Sequence, residues 1–431
     1  MVKQDLYTNC LESMFGLRRF GIKLGLDTIR SILEDLGNPQ ERFACIHVAG
    51  TNGKGSIASA IASILFTAGY KTGLYTSPHL VKFNERILIN NNTISNDGVV
   101  AAYNAVKNAD YGAREPTFFE FATAMALYEF DKRGVEWAVM ETGMGGRLDA
   151  TNIINPKISI ISNIALEHQF YLGNTIAQIA GEKGGIIKKS TPVVSGVRQK
   201  SAKDVIKNIA EENSADLYFF EDDFRIRKIT NEYFSYSGIK EEWHDMRPGL
   251  PGEHQIDNAA VVLAACEILK RNGLNLPLPK IREGLVNTKW PGRLEIVCRS
   301  PIVIMDGAHN LVASRMLADY LSQNLAGKKI TLVVGILDDK PYEEMLRCLL
   351  PSCSRVILTQ PEIDRSLSPD KLYSASEKIT SDISIINNVG EAVKHAFDTA
   401  LPDEAVCIAG SLYVVGEARE ALEERCGLSA F

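Results

Sequence analysis

The chain has 431 residues, 45% hydrophobic and 23% charged, which excludes a disordered or fibrous polymer and allows two or more domains with large cores. A net charge of −6 gives no reason to expect a nucleic-acid partner, and no apolar run approaches the length of a membrane span. Eight cysteines are scattered without a C-x-x-C pair, which argues against zinc and disulfide frameworks and fits reduced thiols. Residues 1–15 show no long apolar core behind a basic start, so no signal peptide is expected and the location expected is cytoplasmic.

Residues 1–42 read as two helices around Gly16-Leu-Arg-Arg-Phe-Gly-Ile-Lys-Leu-Gly-Leu26, where Gly16, Gly21 and Gly25 mark a loop. The next stretch, Cys45-Ile-His-Val-Ala-Gly-Thr-Asn-Gly-Lys-Gly-Ser56, organises the rest. Ile46 to Ala49 is a short buried strand that stops at Gly50. From Ile57 to Phe66 a helix is predicted, with Ile57, Ile61, Ile64 and Leu65 on one face and Gly69 beyond its end. Strand, glycine loop and helix in this order aim backbone N–H groups and the positive helix end at one point, where an anion sits. Gly53 and Gly55 let the backbone wrap closely, Lys54 neutralises β- and γ-phosphate charge, and Ser56 reaches a phosphate or its metal. The spacing is tighter than G-x-x-x-x-G-K-[ST], and Gly55 separates lysine from serine. A mere glycine-rich turn with a surface lysine leaves the flanking strand and helix unexplained.

Lys71 to Tyr75 is a second strand, ended by Thr76-Ser-Pro-His-Leu80, since Pro78 cannot donate to a ladder. Ser77 and His79 thus fall at a strand's carboxyl end, the ligand-facing edge of an open parallel sheet; a turn or cap is the plainer role for Ser77. Glu115 to Phe121 leads into an apolar helix over 122–130. Trp137 to Met140 is a buried strand running into Glu141-Thr-Gly-Met-Gly-Gly-Arg-Leu-Asp-Ala-Thr-Asn152, and Glu141 is placed like a carboxylate that holds Mg²⁺. Ile158 to Ile161 is the next strand, on the way to Glu167-His168. A lone histidine is more often structural, but this one follows a strand in a chain with a phosphate loop. Thr175 to Lys183 reads as a helix capped by Gly184-Gly185, and Pro192 to Val194 as a strand.

This alternation predicts an α/β fold, with a mostly parallel sheet of P-loop NTPase type to about residue 220. From Phe224 to Trp243 short alternating strands suggest a small antiparallel insertion. Gly252-Glu-His-Gln-Ile-Asp-Asn258 precedes a helix over 259–270. Trp290-Pro-Gly-Arg-Leu-Glu295 reads as a connector, giving expected domains of 1–295 and 296–431. The second restarts the alternation: strand 302–305 ending in Asp306-Gly-Ala-His-Asn310, helix 312–324, strands 330–334 and 355–359, and strand 406–409 ending at Gly410. It reads as a smaller Rossmann-type α/β domain without G-x-G-x-x-G, so dinucleotide binding is not supported. No internal repeat is found.

Gly-Thr-Asn-Gly-Lys-Gly-Ser, Thr-Ser-Pro-His, Glu-x-Gly-x-Gly-Gly-Arg-Leu-Asp-Ala-Thr-Asn, Glu-Lys-Gly-Gly-Ile, Trp-Pro-Gly-Arg-Leu-Glu and Asp-Gly-Ala-His-Asn, in this order over nearly the whole chain, resemble the folylpolyglutamate synthase/dihydrofolate synthase family of Mur ligases. The resemblance implies an ATP-dependent amide ligase: ATP phosphorylates a folate or dihydropteroate carboxylate, and the amine of L-glutamate attacks the acyl phosphate. It implies that Gly53, Lys54, Gly55 and Ser56 hold ATP phosphates, with further ATP contacts from Asn258, Arg293 and Asp306. Ser77, Glu141 and His168 match magnesium positions, and Lys183, set with them as a metal residue, matches a carbamylated lysine that would bind a second Mg²⁺ or orient a metal ligand such as His168. Lys54, Lys183 and His168 form the implied catalytic set. Lys23, Leu24, Gly25 and Leu26, then Thr117, Phe118, Phe119 and Glu120, then Arg147, Leu148 and Asp149 match segments around the pterin-bearing substrate. His309 lies in a matching motif without an assigned role. Departures from the family pattern are Glu167 for aspartate, Gly184 for alanine, Leu311 for proline and Met144 for leucine.

The implied chemistry is physically coherent. A carboxylate is a poor acyl donor because oxide leaves badly, and phosphoryl transfer supplies a leaving group. The protein then positions reactants and neutralises charge through Lys54, Mg²⁺ and Arg293. The expectation is a bifunctional enzyme working on small molecules only (ATP, L-glutamate, dihydropteroate or reduced folate), as a monomer. The alternatives are folylpolyglutamate synthase activity alone and a P-loop regulatory NTPase, which explains Lys54 and Glu141 but not Arg293 or Asp306. A cell-wall Mur ligase would need a UDP-binding domain before the phosphate loop, for which residues 1–45 leave no room.

Overall fold

The computed structural model describes residues 2–21, 23–230 and 232–428. Two compact units divide it: one made of residues up to His79, Phe83–Gly249 and Gln255–Lys289, the other of Leu80–Lys82, Leu250–His254 and Trp290 onward.

The first unit begins with α1 (Val2–Gly16), a 3₁₀ turn at Leu17–Phe20 where the sequence predicts only loop, and α2 (Asp27–Asp35). Then come β1 (Ala44–Ala49), α3 (Lys54–Thr67), β2 (Thr72–Tyr75), β3 (Ile87–Ile89), β4 (Asn92–Thr93), α4 (Asn96–Lys107), α5 (Phe118–Lys132) and β5 (Trp137–Glu141). The unit continues through β6 (Ile158–Ile161), the one-turn α6 (Gln169–Leu172), α7 (Ile176–Gly184), β7 (Val193–Ser195), α8 (Lys200–Glu212) and β8 (Leu217–Phe219). These strands form one eight-stranded sheet in the order β4-β3-β2-β5-β1-β6-β7-β8. The pairs from β2 through β8 are parallel; β3 and β4 add an antiparallel edge that the sequence reading did not foresee. Ranked among parallel neighbours, β1 is buried on both faces, which explains its unbroken apolar run.

β9 (Arg225–Lys228), β10 (Phe234–Ser237) and β11 (Glu242–Met246) make a separate antiparallel sheet, as expected of the insertion. α9 (Glu253–Arg271) and α10 (Leu278–Val286) close the unit. α9 starts six residues before the predicted 259, so Asn258 sits inside the helix rather than ahead of it. α3 is buried all round instead of on one face, because α10 lies against the side turned from the sheet: Ser63 Oγ donates to Gly284 O at 2.7 Å and Ser59 Oγ to Lys289 O at 2.8 Å. A Cβ on Gly284 would lie 2.5 Å from Ile64 Cα, so this crossing needs glycine.

The second unit contains β12 (Glu295–Arg299), β13 (Ile302–Met305), α11 (Leu311–Asn324), β14 (Ile330–Val334), α12 (Tyr342–Leu349), β15 (Arg355–Gln360), α13 (Pro369–Ser376), β16 (Ile383–Asn388), α14 (Val389–Thr399), β17 (Ala405–Ala409) and α15 (Leu412–Cys426). Its sheet runs β12-β13-β17-β14-β15-β16, parallel except for β12. Apolar clusters cover both faces, one around Leu332, Leu346 and Cys407, the other around Val333, Ile408 and Val415. This is a doubly wound α/β fold. β12 and β16 were not predicted; both are edge strands whose half-exposed residues lack a continuous apolar run.

Candidate active site

β1 delivers the chain to Gly50, at φ +147°, where a Cβ would lie 1.9 Å from Ser162 Oγ; only glycine passes. The loop is then fastened to the segment after β6. Thr51 N donates to Asn163 O at 2.9 Å, Asn52 N to Asn163 Oδ1 at 2.9 Å, and Ser162 Oγ to Asn52 O at 2.7 Å. Gly53, in the left-handed region at φ +84°, caps α3, whose first turn is Lys54, Gly55 and Ser56. Asn258 of α9 faces the same turn: a Cβ on Gly53 would lie 2.6 Å from Asn258 Oδ1. Gln255, one turn earlier on α9, reaches Ser56 Oγ at 3.4 Å. Sequence reasoning singled out Asn258 and missed Gln255, although the i, i+3 spacing puts both on one helix face.

Two lysines and one carboxylate meet at Gly50. Lys54 Nζ donates to Gly50 O at 2.9 Å and Thr51 O at 3.1 Å. Lys183, in the last turn of α7 and 1% exposed, donates to the same Gly50 O at 2.7 Å and to Glu167 Oε1 at 2.7 Å. Burial pulls the Lys183 ammonium down to about 8, against the Glu167 carboxylate, which holds it up. Burial works the other way on Glu167, but Lys183 and then Lys54 outweigh it and hold the carboxyl at about 2. A local excess of positive charge at a helix N-terminus suits a polyphosphate. Glu167 was noted in the sequence only as a departure from pattern; its pairing across 16 positions has no local signal. His168 is the N-cap of α6 and itself lies in the left-handed region at φ +46°.

α7 does not end in a left-handed glycine cap as expected. Gly185 has φ −61°, and the glycine pair serves packing instead. A Cβ on Gly184 would lie 2.7 Å from Ile209 Cδ1, and one on Gly185 2.3 Å from Arg147 Cβ.

Glu141, 5% exposed at the carboxyl end of β5, accepts the Ser77 N–H at Oε2 at 3.1 Å. The structure thus brings Ser77 and Glu141 together at the ends of β2 and β5. Among the described residues no three His, Cys, Asp or Glu side chains gather to hold a metal on their own. The donors brought together here, the buried Glu141 carboxylate and Ser77, fit a small divalent ion that fills most of its shell with phosphate oxygens and water.

The segments expected around the pterin-bearing substrate lie near Glu141 in part. Thr117 and Glu120 form the capping box of α5, and Glu120 also takes a bidentate pair from Arg114 at 2.7 and 2.9 Å; these two polar side chains build the helix start. Phe119 presses on the loop after Glu141, with a Cβ on Gly143 meeting its ring at 2.5 Å. Phe118 stacks on Phe15 at 5.7 Å. Arg147 pairs with Glu182 at 2.8 Å on the surface, Leu148 is half-buried, and Asp149 is buried with both oxygens engaged. Lys23 and Leu24 are exposed, Gly25 is half-buried, and Leu26 packs on the same apolar cluster as Phe118 and Phe119.

In the second unit Arg293 and Asp306 meet. Asp306 Oδ2 accepts the Leu294 N–H at 2.8 Å and Oδ1 the Ala308 N–H at 2.9 Å. Burial raises its carboxyl while Arg293 opposes that shift. Gly307 lies so close that a Cβ there would be 2.5 Å from Arg293 Nη1. His309 Nδ1 is 2.8 Å from Gly307 O.

Two family descriptions match the chain: Mur ligase middle domain over residues 48–266, and Mur ligase, glutamate ligase domain, over 292–412. The Bacillus subtilis dihydrofolate synthase/folylpolyglutamate synthase is 37% identical over 430 residues, covering 97% of this chain and 99% of that one. The chain belongs to the folylpolyglutamate synthase/dihydrofolate synthase family of Mur ligases. Solved structures of this family match over nearly all of its length. Escherichia coli FolC in complex with DHPP and ADP gives a TM-score of 0.89 at 29% identity, over 96% of this chain and 98% of that one. The Yersinia pestis bifunctional folylpolyglutamate synthase/dihydrofolate synthase complexed with AMPPNP and a Mn ion gives 0.86 at 30%, over 97% and 98%. No helix of this family member, among the described residues, is long and apolar enough to cross a membrane.

Proposed function

We propose that this Mur ligase couples ATP hydrolysis to amide formation between L-glutamate and the carboxylate of dihydropteroate or of a reduced folate, as a bifunctional dihydrofolate synthase/folylpolyglutamate synthase. The observation that carries the reading is the convergence of Lys54, Lys183 and Glu167 on Gly50, at the N-terminus of α3. The family relatives named above add nucleotide binding and the folate substrate class.

Gly53, Lys54, Gly55 and Ser56 bind the phosphates, with Asn258 closing over Gly53; Arg293 and Asp306 are assigned as further ATP contacts. Lys54 neutralises charge as the substrate carboxylate oxygen bonds to the γ-phosphorus and the bond to ADP breaks. The glutamate amine then bonds to the acyl carbon, phosphate leaves, and the amine gives up a proton to solvent. Ser77, Glu141 and His168 would hold Mg²⁺, which supplies charge neutralisation on the phosphates when bound. Lys23–Leu26, Thr117–Glu120 and Arg147–Asp149 are assigned to the pteroyl portion.

Lys183 is assigned as a carbamate. Its depressed pKa raises the share of free amine at neutral pH; that amine adds to CO₂ and releases one proton, leaving a carboxylate-like group beside Glu167. The test of the whole reading is ligation with dihydropteroate and tetrahydrofolate side by side, each with and without L-glutamate. ADP release that needs both the pteroyl substrate and glutamate supports it. Turnover with tetrahydrofolate alone reduces it to folylpolyglutamate synthase, and nucleotide hydrolysis indifferent to both substrates overturns it.

A further inference from the structure

His47 lies in the middle of β1, three residues before the phosphate loop, and is wholly buried. It faces Met140 of β5 and Ser159 of β6 in the sheet register. Its Nε2 is 2.8 Å from Thr151 Oγ1. Thr151 Oγ1 in turn donates to Asp149 Oδ1 at 2.5 Å, and the Thr151 N–H donates to the same oxygen at 3.0 Å. The other oxygen, Oδ2, accepts the Gly143 and Met144 N–H groups, both at 2.9 Å.

These bonds fit one arrangement of the protons. Burial raises the Asp149 carboxyl, but four donors from Thr151, Gly143 and Met144 oppose that shift and suit the carboxylate. The single Thr151 hydroxyl proton goes to it, and the threonine oxygen is left as an acceptor. His47 Nε2 therefore carries the proton, and Nδ1, which has no hydrogen-bond partner, is bare. Burial keeps the imidazole neutral, with a pKa of about 3. A buried imidazole with one nitrogen unsatisfied is costly, and its whole polar return is the bond to Thr151.

We propose that His47 is a positioning residue for substrate, acting through Thr151 to hold Asp149 and the 143–144 turn in the shape that receives the pteroyl group. The proposal rests on the assignment of the Arg147–Asp149 segment to that group. One strand then carries the ATP loop at its end and the fastening of the pteroyl loop at its middle. The effect falls on pteroyl binding, because Lys54, Ser56 and Gly53 make none of these bonds.

The test compares His47→Leu, His47→Gln and Thr151→Val by steady-state kinetics, together with backbone amide exchange at Gly143 and Met144 in the substrate-free protein. Glutamine can place an N–H donor near the position of Nε2, and leucine cannot. His47→Leu should raise KM for dihydropteroate at least tenfold, keep KM for ATP within twofold and speed exchange at both amides. His47→Gln should recover to within threefold of the wild type, and Thr151→Val should reproduce the leucine variant. Equal rises in both KM values, unchanged amide exchange, or glutamine no better than leucine overturns the proposal. If His47→Leu does not fold, Thr151→Val with wild-type KM and exchange overturns it equally. A wild-type enzyme that does not use dihydropteroate sinks the substrate assignment instead, and the amide exchange still decides whether His47 holds the turn.

Discussion

Lys54→Ala separates charge neutralisation from folding. In the protein the ammonium rests on two neutral carbonyls, Gly50 O at 2.9 Å and Thr51 O at 3.1 Å. Bonds to neutral acceptors are given up at little cost when an anion arrives. A unit charge about 4 Å from a phosphate charge, at an effective dielectric near 20, interacts by about 4 kcal/mol. Where that is realised on the transferring phosphoryl group it corresponds to about 10³ in rate. The alanine variant should therefore lose about 10³ in kcat/KM for ATP. Its stability should move by no more than about 1 kcal/mol, since a half-exposed lysine is lost whose hydrogen bonds go to nearby carbonyls and whose attraction for Glu167 is secondary to that of Lys183. Lys54→Arg, which restores charge with a different reach, should fall between the two. The assay is ADP release with dihydropteroate and glutamate present, run beside thermal unfolding. A folded Lys54→Ala enzyme turning over within tenfold of the wild type would refute the phosphate-loop reasoning.

Three further outcomes follow from the packing around the site. In protein freed of CO₂, where Lys183 is the free amine, its folded pKa is lowered to about 8 from 10.5, so the unfolded chain binds the extra proton between those values and stability should rise with pH across that window. Lys183→Met should abolish that rise in urea midpoints measured from pH 7 to 10, and acetate should restore part of the activity that Lys183→Ala loses; an unaltered pH profile counts against the buried lysine. Gly185→Ala would put a Cβ 2.5 Å from Arg147 Cα, so it should cost about 1–3 kcal/mol and raise KM for dihydropteroate more than KM for ATP; a wild-type melting curve would contradict the contact. Glu267 of α9, wholly buried, accepts Tyr236 Oη at 2.9 Å and the Ile239, Lys240 and Glu241 N–H groups at 3.0, 2.6 and 3.2 Å; Glu267→Ala should cost about 3–5 kcal/mol and loosen the β10–β11 turn in amide exchange, and an unchanged exchange rate at residues 239–241 would refute the anchor.

The local grammar of the chain determined a good deal by itself. The strand expected at Ile46–Ala49, the glycine loop and the helix expected from Ile57 are contiguous, so their order is written in adjacent residues; the structure starts the strand at Ala44 and the helix at Lys54, with Gly53 at φ +84°. The alternation of apolar strands with helices was legible for the same reason, as was the antiparallel insertion at Phe224–Trp243. Where prediction fell short, the cause was solvation or crowding from elsewhere. α3 is not amphipathic because α10 buries its outer face. Gly184 and Gly185 are small because α8 and Arg147 press on them, not because a helix turns left-handed there.

The partners of the polar groups were beyond the reach of periodicity. That Lys183 shares Gly50 O with Lys54 depends on positions 133 residues apart, and His47 meets Thr151 across 104. Which side chains face one another over such distances is set by the strand order β2-β5-β1-β6, which places the ends of four non-consecutive segments side by side. A buried charge or imidazole takes whichever partner that order supplies, since leaving it unpaired in a low-dielectric interior costs more than any local preference of the chain.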